Sequence, residues 1–417
     1  MIRLPTPPVP RLTRLDIARG MVLGPSAAPP LPATDRRAAR AVPPAMAPPG
    51  CPIASTPLAA LEQAVLPALA RPPCVVSFSG GLDSSLVLAV AVRVARREGL
   101  PPPVPVTWRF TDAPQAEESD WQDDVIRALG LTGPWHQLQA GDDLDFVGPV
   151  AARLLHRHGV LHPANLHLHL PIIELAEGGS LLTGAGGDQM LAGWRRPART
   201  IRSRLRLALC PAVRAVLPPG RRRAIAAYPW LRPDVAVDCY RAYAAQRRAE
   251  PARLERRIRW HLNRRHLVMT CASLAGVAAE HDVSVVNPLL DAGFLMALAT
   301  EPGGLRLPGR DELLARIAGD TLPAVITAPR RKATFLQVFL RRHSRDFVAS
   351  WDGSGVDTDL VDPVALRREW SRWPIPPGTV SLLQQLRLAA HPDPAGQPPA
   401  ANSEVTDDPA ATVPAPR

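Results

Sequence analysis

One stretch decides the fold of this chain of 417 residues, Cys74-Val75-Val76-Ser77-Phe78-Ser79-Gly80-Gly81-Leu82-Asp83-Ser84-Ser85. Its first five residues are mostly apolar and predict a β-strand, while residues 86–97 predict a helix that ends at Gly99. A strand, a glycine turn and a helix together form an anion-binding cradle. The glycines let the backbone approach a phosphate closely, and the N–H groups of the helix N-terminus point toward it.

The polar side chains of this turn support phosphate binding. Ser79, Ser84 and Ser85 supply hydroxyl donors. Asp83 is itself negative, so its place beside a phosphate makes sense if a divalent cation lies between the two. The turn has no lysine and is therefore not a Walker loop, and it lacks the Gly-x-Gly-x-x-Gly fingerprint of dinucleotide-binding proteins. An ordinary glycine turn before a buried helix is the simpler alternative.

A second glycine-rich loop, Gly184-Ala185-Gly186-Gly187-Asp188-Gln189, follows an apolar segment that is predicted to be a strand. Because ligands of parallel sheets bind at the carboxyl ends of the strands, we expect both loops to face one ligand. Each loop carries one carboxylate, and we predict that Asp83 and Asp188 share one magnesium ion. A flexible turn with a solvated aspartate is the alternative for the second loop taken alone.

The order of the predicted elements indicates the fold class. Strands alternate with helices, which predicts an α/β fold with a doubly wound, mostly parallel sheet and an additional helical region. The predicted strands cover residues 74–78, 104–110, 135–138, 179–183 and 283–286. The helices predicted after the first one cover residues 117–129, 145–157, 164–177, 291–300 and 310–318.

Composition divides the chain into four segments. Residues 1–57 are rich in proline and are predicted to be a disordered or loosely packed lead-in. Residues 58–345 contain the strands and both glycine loops, and the arginine-rich part at 195–265 is predicted to be helical. Residues 346–390 are predicted to be a helical C-terminal extension, and residues 391–417 a disordered tail.

The chain is basic, with a net charge of +11. Arginine in place of lysine is compatible with a GC-rich genome, so the charge is weak evidence for nucleic acid, and we expect no nucleic-acid partner. We expect the arginine-rich part to be a solvated helical surface, and a docking surface for an acidic partner is the alternative. No apolar run reaches the length of a membrane span, and we expect no membrane partner. The five cysteines form no Cys-x-x-Cys pair, so we expect a reducing cytoplasm.

Lys332 is the only lysine among the 49 lysine and arginine residues. Arginine serves every other basic position, whereas a lysine is a compact, mobile point charge that can follow charge onto a leaving pyrophosphate. Its neighbours Arg331 and Phe335 suit a mobile loop that closes over an anion. An exposed lysine without a function is the alternative.

Five histidines occur within residues 156–169. The spacing of His158 and His162 is that of metal ligands on one helical face, but a glycine and a proline interrupt the helix there. We therefore do not favour a histidine metal site. His167 and His169 precede the strand that leads to the second glycine loop, and we expect them to line the ligand pocket instead.

Four segments in this order resemble the synthetase domain of asparagine synthetases: Ser79-Gly80-Gly81-Leu82-Asp83-Ser84, Thr183-Gly184-Ala185-Gly186-Gly187-Asp188, Asn287-Pro288-Leu289-Leu290-Asp291, and Arg331-Lys332 before Phe335. The resemblance covers residues 58–345. All pyrophosphate-loop enzymes share the first segment, whereas the ordered set is specific to the asparagine-synthetase-like branch, which includes β-lactam synthetases and lasso-peptide cyclases. The resemblance implies an adenine nucleotide α-hydrolase-like sheet, ATP and Mg²⁺ as cofactors, and a ligase that adenylates a carboxylate for attack by an amine, with AMP and pyrophosphate as products.

The resemblance also implies roles for individual residues. The residues that it places on the phosphates or beside the nucleotide are Phe78, Ser79, Gly80, Gly81, Asp83, Ser84, Ser85, Gly184 and Ala185. It places Asp83 and Asp188 on magnesium. The catalytic residue that it implies is Lys332, which stabilises charge on the pyrophosphate and on the adenylated carboxylate. These roles agree with the physics of phosphoryl chemistry, which depends on positioning and charge neutralisation.

Two departures from the family pattern refine this expectation. Residue 2 is Ile2 where glutamine-hydrolysing members carry a nucleophilic cysteine, so we expect no glutaminase domain. Ala185 stands where the family usually carries glutamate, and residues 186–188 are more similar to the loop of lasso-peptide cyclases. We therefore expect a carboxylate substrate and an amine acceptor in peptide or specialised-metabolite biosynthesis, with a peptide and a biosynthetic partner protein among the candidate partners.

Three other functions stay open at this point. One is a genuine asparagine synthetase that uses ammonia or a separate glutaminase. Another is a non-catalytic ATP-binding module of a biosynthetic complex, which retention of both aspartates and Lys332 disfavours. The third is a tRNA-modifying pyrophosphate-loop enzyme, which is disfavoured because the chain has no cysteine pair for sulfur transfer.

Overall fold

The computed structural model describes residues 9–27, 56–110, 113, 119–192, 221–300, 310–319, 321–328 and 336–391. The strands are β1 (Cys74–Ser77), β2 (Val104–Arg109), β3 (His136–Gln139), β4 (Ser180–Leu182) and β5 (Ser284–Val286). The α-helices within the described ranges are α1 (Arg14–Arg19), α2 (Pro57–Leu69), α3 (Leu82–Glu98), α4 (Ser119–Ala128), α5 (Pro149–His158), α6 (Leu170–Leu175), α7 (Arg221–Ala227), α8 (Pro233–Ala249), α9 (Leu254–Leu262), α10 (Arg265–Ala279), α11 (Ala292–Thr300), α12 (Arg310–Ala318), α13 (Arg342–Ser350), α14 (Pro363–Trp370) and α15 (Val380–Ala390).

The five strands form one parallel sheet in the order β3-β2-β1-β4-β5. The chain runs outward from β1 to β3 and then returns to place β4 on the other side of β1. This reversal creates a topological switch point between β1 and β4, where open parallel sheets form a ligand-binding crevice. The prediction of an α/β fold with a doubly wound, mostly parallel sheet and additional helices is confirmed.

Both faces of the sheet are covered by helices. Val75 and Leu181 point to one face, where they pack with α6 and α10, while Val76 and Leu182 point to the other, where they pack with α2, α3 and α11. These four side chains are at most 1% exposed. Strands that are buried on both faces are continuously apolar rather than alternating, which explains the short runs from which the sequence predicted them.

Helix α3 begins one turn earlier than the sequence predicted. Gly81 is its N-cap residue and Leu82 its first residue, so Asp83 and Ser84 lie in the first helical turn. The helix ends at Gly99, whose φ of 64° is left-handed. The prediction followed the apolar periodicity, which the polar first turn does not show, although an acidic residue near a helix N-terminus is favoured by the helix dipole.

The predicted disordered or loosely packed lead-in is wrong for residues 9–27. These residues form α1 and pack against the rest of the protein, with Ile17 and Val22 buried. Thr13 caps the helix by a capping box with Asp16. The abundance of proline pointed away from a helix, but the Thr-x-x-Asp spacing was a local start signal that lies between the prolines. Residues 1–8 and 28–55 lie outside the described ranges.

A buried charge cluster holds α1 in place. Asp16 is 1% exposed, and its carboxylate accepts hydrogen bonds from Arg19 at 2.6 Å and from Arg265 at 2.5 Å. Burial by itself would raise the pKa of Asp16, but the hydrogen bonds from Arg265 and Thr13 and the charge of Arg265 outweigh burial and lower it. The N-terminal segment is therefore attached to α10 by a satisfied ionic network.

A second apolar cluster joins the two ends of the described chain. Ile17 of α1 belongs to it together with Trp230, Phe347 and Leu383. Helices α13, α14 and α15 account for most of the predicted helical extension at residues 346–390. The predicted tail lies outside the described residues except for its first member.

The membrane and thiol predictions can be compared with the described residues. No helix among them is long and apolar enough to cross a membrane. Cys74, Cys239 and Cys271 are free thiols, whereas Cys51 and Cys210 lie outside the described ranges. Burial raises the pKa of Cys74 and of Cys271 to about 11, so both stay protonated at neutral pH.

Candidate active site

A cavity of about 680 Å³ lies at the carboxyl ends of β1, β2 and β4. Phe78 follows β1 on its wall, Trp108 belongs to β2, and Thr183 follows β4. The first turn of α3 and the second glycine loop complete this end of the cavity. The cavity occupies the switch point of the sheet, where a ligand is expected, and its volume is that of a small-molecule site.

Most residues that were predicted to contact the nucleotide lie on this wall. The predicted nucleotide-binding residues that line the cavity are Phe78, Ser79, Gly81, Asp83, Ser84, Gly184 and Ala185. Gly80 and Ser85 do not line it. Ser85 is fully buried, and its hydroxyl donates to the Gly80 carbonyl at 3.3 Å. These two residues therefore shape the loop from behind.

Internal hydrogen bonds fix the first glycine loop. The hydroxyl of Ser84 donates to the Gly81 carbonyl at 3.1 Å and accepts from the Ser79 N–H at 3.2 Å. Gln122 of α4 donates to the Ser79 carbonyl at 3.1 Å. Gly80 has a φ of 82°, and a Cβ there would lie 2.8 Å from the Gln122 side chain, so only glycine fits. The loop is thus held open toward the cavity before any ligand binds.

The second glycine loop is in direct contact with the first. A Cβ atom at Gly187 would overlap with the carboxyl group of Asp83, and one at Gly184 would lie 3.1 Å from the Ser84 nitrogen. Thr183 donates its hydroxyl to Asn287 at 2.5 Å and accepts from the Ala185 N–H at 3.1 Å. The absence of side chains at the two glycines is what lets Asp83 reach the second loop.

Arg310 joins the two predicted magnesium ligands. Its Nη2 lies 2.5 Å from Oδ2 of Asp83, and its Nη1 lies 2.9 Å from Oδ1 of Asp188. The two carboxylates therefore converge on one guanidinium group, as they would have to converge on one metal ion. Arg310 is the first residue of α12 and follows residues 301–309, which the structure does not describe.

The donor set of this site fits a magnesium ion. Asp83 and Asp188 are hard oxygen ligands, and a positive charge already lies between them. No group of three His, Cys, Asp or Glu side chains that could hold a metal exists within the described ranges. Two carboxylates are enough for Mg²⁺, which keeps several waters and takes further oxygens from substrate phosphates.

The histidines lie in different surroundings. His169 lines the cavity, and burial lowers its pKa to about 4, so it is neutral at pH 7. His167 does not line the cavity. Its Nε2 atom lies 3.0 Å from the Leu144 carbonyl oxygen, and its ring packs edge to face on Phe146. His158 lies 3.4 Å from Glu280. The prediction about the pocket therefore holds for His169 and not for His167.

Lys332 lies outside the described residues, so its role stays a prediction. The chain that follows it is anchored at the cavity, because Phe339 lines the wall. Asp145 holds the next residues by accepting hydrogen bonds from the Arg341 N–H at 2.7 Å and from the Ser344 N–H at 2.9 Å.

Part of the arginine-rich region supports the site from within. Arg257 of α9 is 3% exposed and donates to the Met190 carbonyl at 3.2 Å, directly behind the second glycine loop. Arg264 lies over the ring of Trp260 at 4.5 Å. With Arg265, which pairs with Asp16, these residues serve packing rather than solvation. Residues 193–220 of this region lie outside the described ranges.

The sequence alone does not identify three residues of the site. Arg310 is one of many arginines, and only the fold shows that it faces Asp83 and Asp188. Gln122 lies on α4, far along the chain from the loop that it braces. Trp108 lay inside a predicted strand, where an aromatic residue indicates burial before it indicates a ligand.

Comparison with known proteins adds a family assignment. A search of curated proteins found none that matches this chain. The family model described as asparagine synthase matches residues 58–377, which include both glycine loops, Arg310 and Phe339. This match covers most of the chain and extends beyond the resemblance found in the sequence, into α14 and the turn before α15. The chain therefore belongs to the asparagine synthase family.

Proposed function

We propose that this protein is an ATP-dependent amide ligase that adenylates a carboxylate, releases pyrophosphate and transfers the acyl group to an amine. Membership of the asparagine synthase family supports an ATP-dependent amide ligase in general. The observation that carries the finer proposal is the convergence of Asp83 and Asp188 beside the N-terminus of α3, within one cavity.

The first loop supplies the phosphate-binding groups. The N–H groups in the first turn of α3 face the cavity at the positive end of a helix of 17 residues. Ser79 and Ser84 add hydroxyl groups on the same wall. Because the loop is fixed by its own hydrogen bonds and by Gln122, little free energy is lost in ordering it when ATP binds.

The two aspartates would hold magnesium. When bound, the ion would neutralise charge on the phosphates and hold the leaving pyrophosphate in line. Asp83 is fixed by contact with Gly187, and Asp188 is placed by the loop that Arg257 supports from behind. In the structure described here Arg310 supplies the positive charge between them.

The proposed reaction has two steps, adenylation of the carboxylate and transfer of the acyl group to the amine. A carboxylate oxygen attacks the α-phosphorus of ATP, the bond to the bridging oxygen breaks, and pyrophosphate leaves with the electron pair. An amine nitrogen then attacks the acyl carbon, the bond to the AMP oxygen breaks, and the nitrogen loses one proton to solvent. The chain contributes by orienting the reactants and by neutralising charge, and we assign the second task to Lys332 together with the loops.

The substrates that we propose are a carboxylate other than free aspartate and an amine acceptor, with a peptide as one candidate for either. Ala185 supports this choice, because it brings a methyl group to the cavity where the family usually brings a carboxylate. A biosynthetic partner protein that delivers the substrate is compatible with the proposal. Synthesis of asparagine from ammonia is the competing function.

ATP–pyrophosphate exchange tests the proposal. Purified protein is incubated with Mg-ATP, labelled pyrophosphate and a panel of amino acids, N-acyl amino acids and short peptides. We expect exchange with at least one carboxylate and formation of AMP rather than ADP. Asp83→Asn and Asp188→Asn should lower exchange by about 100-fold or more, whereas Asp359→Asn, a change at a side chain that is 88% exposed, should have no effect.

Three results would contradict all or part of the proposal. Formation of ADP and phosphate would show that the protein cleaves ATP at the other bond. Binding of ATP in calorimetry without exchange on any carboxylate of the panel would favour the non-catalytic ATP-binding module. Pyrophosphate exchange with L-aspartate and with no other carboxylate would agree with adenylation of a carboxylate but would assign asparagine synthesis as the function.

A further inference from the structure

The cavity beyond the two glycine loops is lined mainly by apolar and aromatic side chains. These residues are Val106, Trp108, Phe110, Leu166, Leu168, Ile172, Leu274 and Phe339. They come from β2 and the residue after it, from α6 and the segment before it, from α10, and from the segment before α13. The wall of the cavity therefore changes in character from the phosphate-binding end to an apolar end.

Charged groups on the described part of the wall are confined to the loop end. Asp83, Asp188 and Arg310 are joined to one another there. His169 lies at the apolar end, where burial keeps it neutral at pH 7. Among the described residues, the apolar end thus has no ionic partner for the ammonium and carboxylate groups of a free amino acid.

Three aromatic side chains form a fixed surface at this end, which we call the aromatic wall: Trp108, Phe110 and Phe339. The indole N–H of Trp108 donates to the Leu168 carbonyl at 3.2 Å, which fixes the ring orientation. Phe110 and Phe339 pack edge to face with ring centroids 5.7 Å apart, and Phe339 also packs on Phe146 at 6.1 Å. Such a surface is organised before the ligand binds.

The aromatic wall extends from the sheet to the second apolar cluster. Trp108 lies in β2 and packs against both the second apolar cluster and the sheet cluster of Val75 and Leu181, whereas Phe110 and Phe339 belong to the second apolar cluster. The wall therefore begins at β2 and leads away from the sheet. A ligand group that reaches it extends away from the phosphates.

We propose that the carboxylate substrate carries a large apolar group, aromatic or branched aliphatic, that packs against the aromatic wall of Trp108, Phe110 and Phe339. The inference rests on the proposed function, because the carboxyl group has to meet the α-phosphate at the loop end. The remainder of the substrate then extends along the cavity to its apolar end. Burial of this group supplies the affinity that an ionic pocket supplies for a free amino acid.

Calorimetric titration of simple carboxylates tests the inference. The full chain is first saturated with Mg²⁺ and α,β-methylene-ATP, so that the nucleobase position is filled. Acetate, butyrate, hexanoate, 3-phenylpropionate and L-aspartate are then titrated separately, and 3-phenylpropionate is also titrated into the protein without the nucleotide analogue. We expect the affinity to rise about fourfold for each added methylene, a negative heat-capacity change for 3-phenylpropionate, and weaker binding of L-aspartate than of hexanoate.

A matched pair of tryptophan variants locates the binding surface. Trp108→Ala should weaken 3-phenylpropionate about tenfold, since it removes a large part of the wall, and should leave the affinity for α,β-methylene-ATP within twofold. Trp373→Ala is the control, because this half-buried tryptophan packs with Arg345 and does not line the cavity. The dependence on chain length in the unaltered protein remains decisive if Trp108→Ala does not fold.

Several outcomes would overturn the inference. One is an affinity that does not depend on the chain length of the carboxylate, and another is tighter binding of L-aspartate than of hexanoate. A third is loss of 3-phenylpropionate binding once the nucleotide analogue is present, because this loss would assign the aromatic wall to the nucleobase. Failure of the proposed function gives a different result. In that case the carboxylates bind in order of their apolar size, but no carboxylate supports pyrophosphate exchange.

Discussion

Arg310 and Asp83 form an ion pair of 2.5 Å in which the two side chains are only 15% and 16% exposed. The other terminal nitrogen of the same guanidinium lies 2.9 Å from Asp188. Two carboxylates in such proximity would repel each other without a cation between them. Arg310 thus offsets this repulsion and keeps both carboxylates in position when no metal is bound.

Arg310→Ala should make the protein depend on magnesium for stability. We expect a loss of about 1–3 kcal/mol without the metal, because Asp83 then lacks its charged partner, and a larger rise of Tm on addition of Mg²⁺ than in the unaltered protein. Thermal unfolding with and without Mg²⁺ measures both. Arg316→Ala, on the same helix and at a side chain that pairs with Glu312, is the control. Equal magnesium shifts in both variants would show that Arg310 does not occupy the metal position.

Gly187→Ala should displace the carboxylate of Asp83. The added methyl group would overlap with this carboxylate, so we expect Mg-ATP to bind at least tenfold more weakly while the far-ultraviolet circular dichroism stays unchanged. Gly133→Ala is the matched control, because a Cβ atom there meets nothing within 4 Å. Unchanged binding of Mg-ATP by Gly187→Ala would mean that the contact between the loops does not position Asp83.

Lys332→Ala should slow turnover while ATP binding stays nearly intact. The loops supply most ground-state contacts, whereas the lysine is expected to meet charge that develops on pyrophosphate, so we predict a loss of about 100- to 1000-fold in exchange rate. Lys332→Arg should restore little of the exchange rate, because a planar guanidinium cannot occupy the position of the lysine ammonium group. Arg342→Ala, at a side chain that is 67% exposed, is the control. Equal losses in ATP affinity and in rate would instead assign Lys332 to ground-state binding.

Asp16→Asn should destabilise the whole protein. It leaves Arg19 and Arg265 without their buried counter-charge, a change that typically costs about 3–5 kcal/mol. Asp238→Asn offers a close comparison, since Asp238 and Arg241 have the same i, i+3 spacing as Asp16 and Arg19 but are both mostly exposed. Urea unfolding of the two variants measures the difference. Similar urea midpoints for Asp16→Asn and Asp238→Asn would show that α1 is not anchored by its charge cluster.

The contribution of Asp16 should also depend on pH. Because its pKa in the folded protein lies below the ordinary value of 3.8, the carboxylate stabilises the folded state fully above pH 3.8. This stabilisation is lost as the pH falls from 3.8 through the lower folded value. The difference in unfolding free energy between the unaltered protein and Asp16→Asn should therefore be constant near neutral pH and shrink in acid. A difference that grows in acid would contradict the assignment.

The sequence predicted the sheet well because local patterns determine it. Buried parallel strands such as β1 and β4 are short apolar runs, and each is followed by a glycine-rich turn. The same patterns predicted that Asp83 and Asp188 lie close together, since the rule that strand ends converge needs no tertiary detail. The start of α3 was misplaced because its first turn is polar.

Other parts of the site depend on tertiary contacts that leave no local signal. Arg310 has the same side chain as many other residues of the chain, and its role follows only from the position of α12. The aromatic wall unites Trp108 with Phe339, which are far apart in the chain. In contrast, α1 did have a local signal at Thr13, but proline-rich flanks outweighed it in a composition-based prediction.

The packing of α1 has a consequence for where this protein can be shortened. The turn after α1 touches the backbone at Gly378, where a Cβ atom on Gly20 would overlap, and the Trp230 indole donates to the Ala18 carbonyl at 2.8 Å. A protein trimmed to residues 58–377, the span of the family match, would lose α1 and α15 together. It would expose Trp230 and leave Arg265 unpaired. The unit that folds is thus larger than the unit that defines the family.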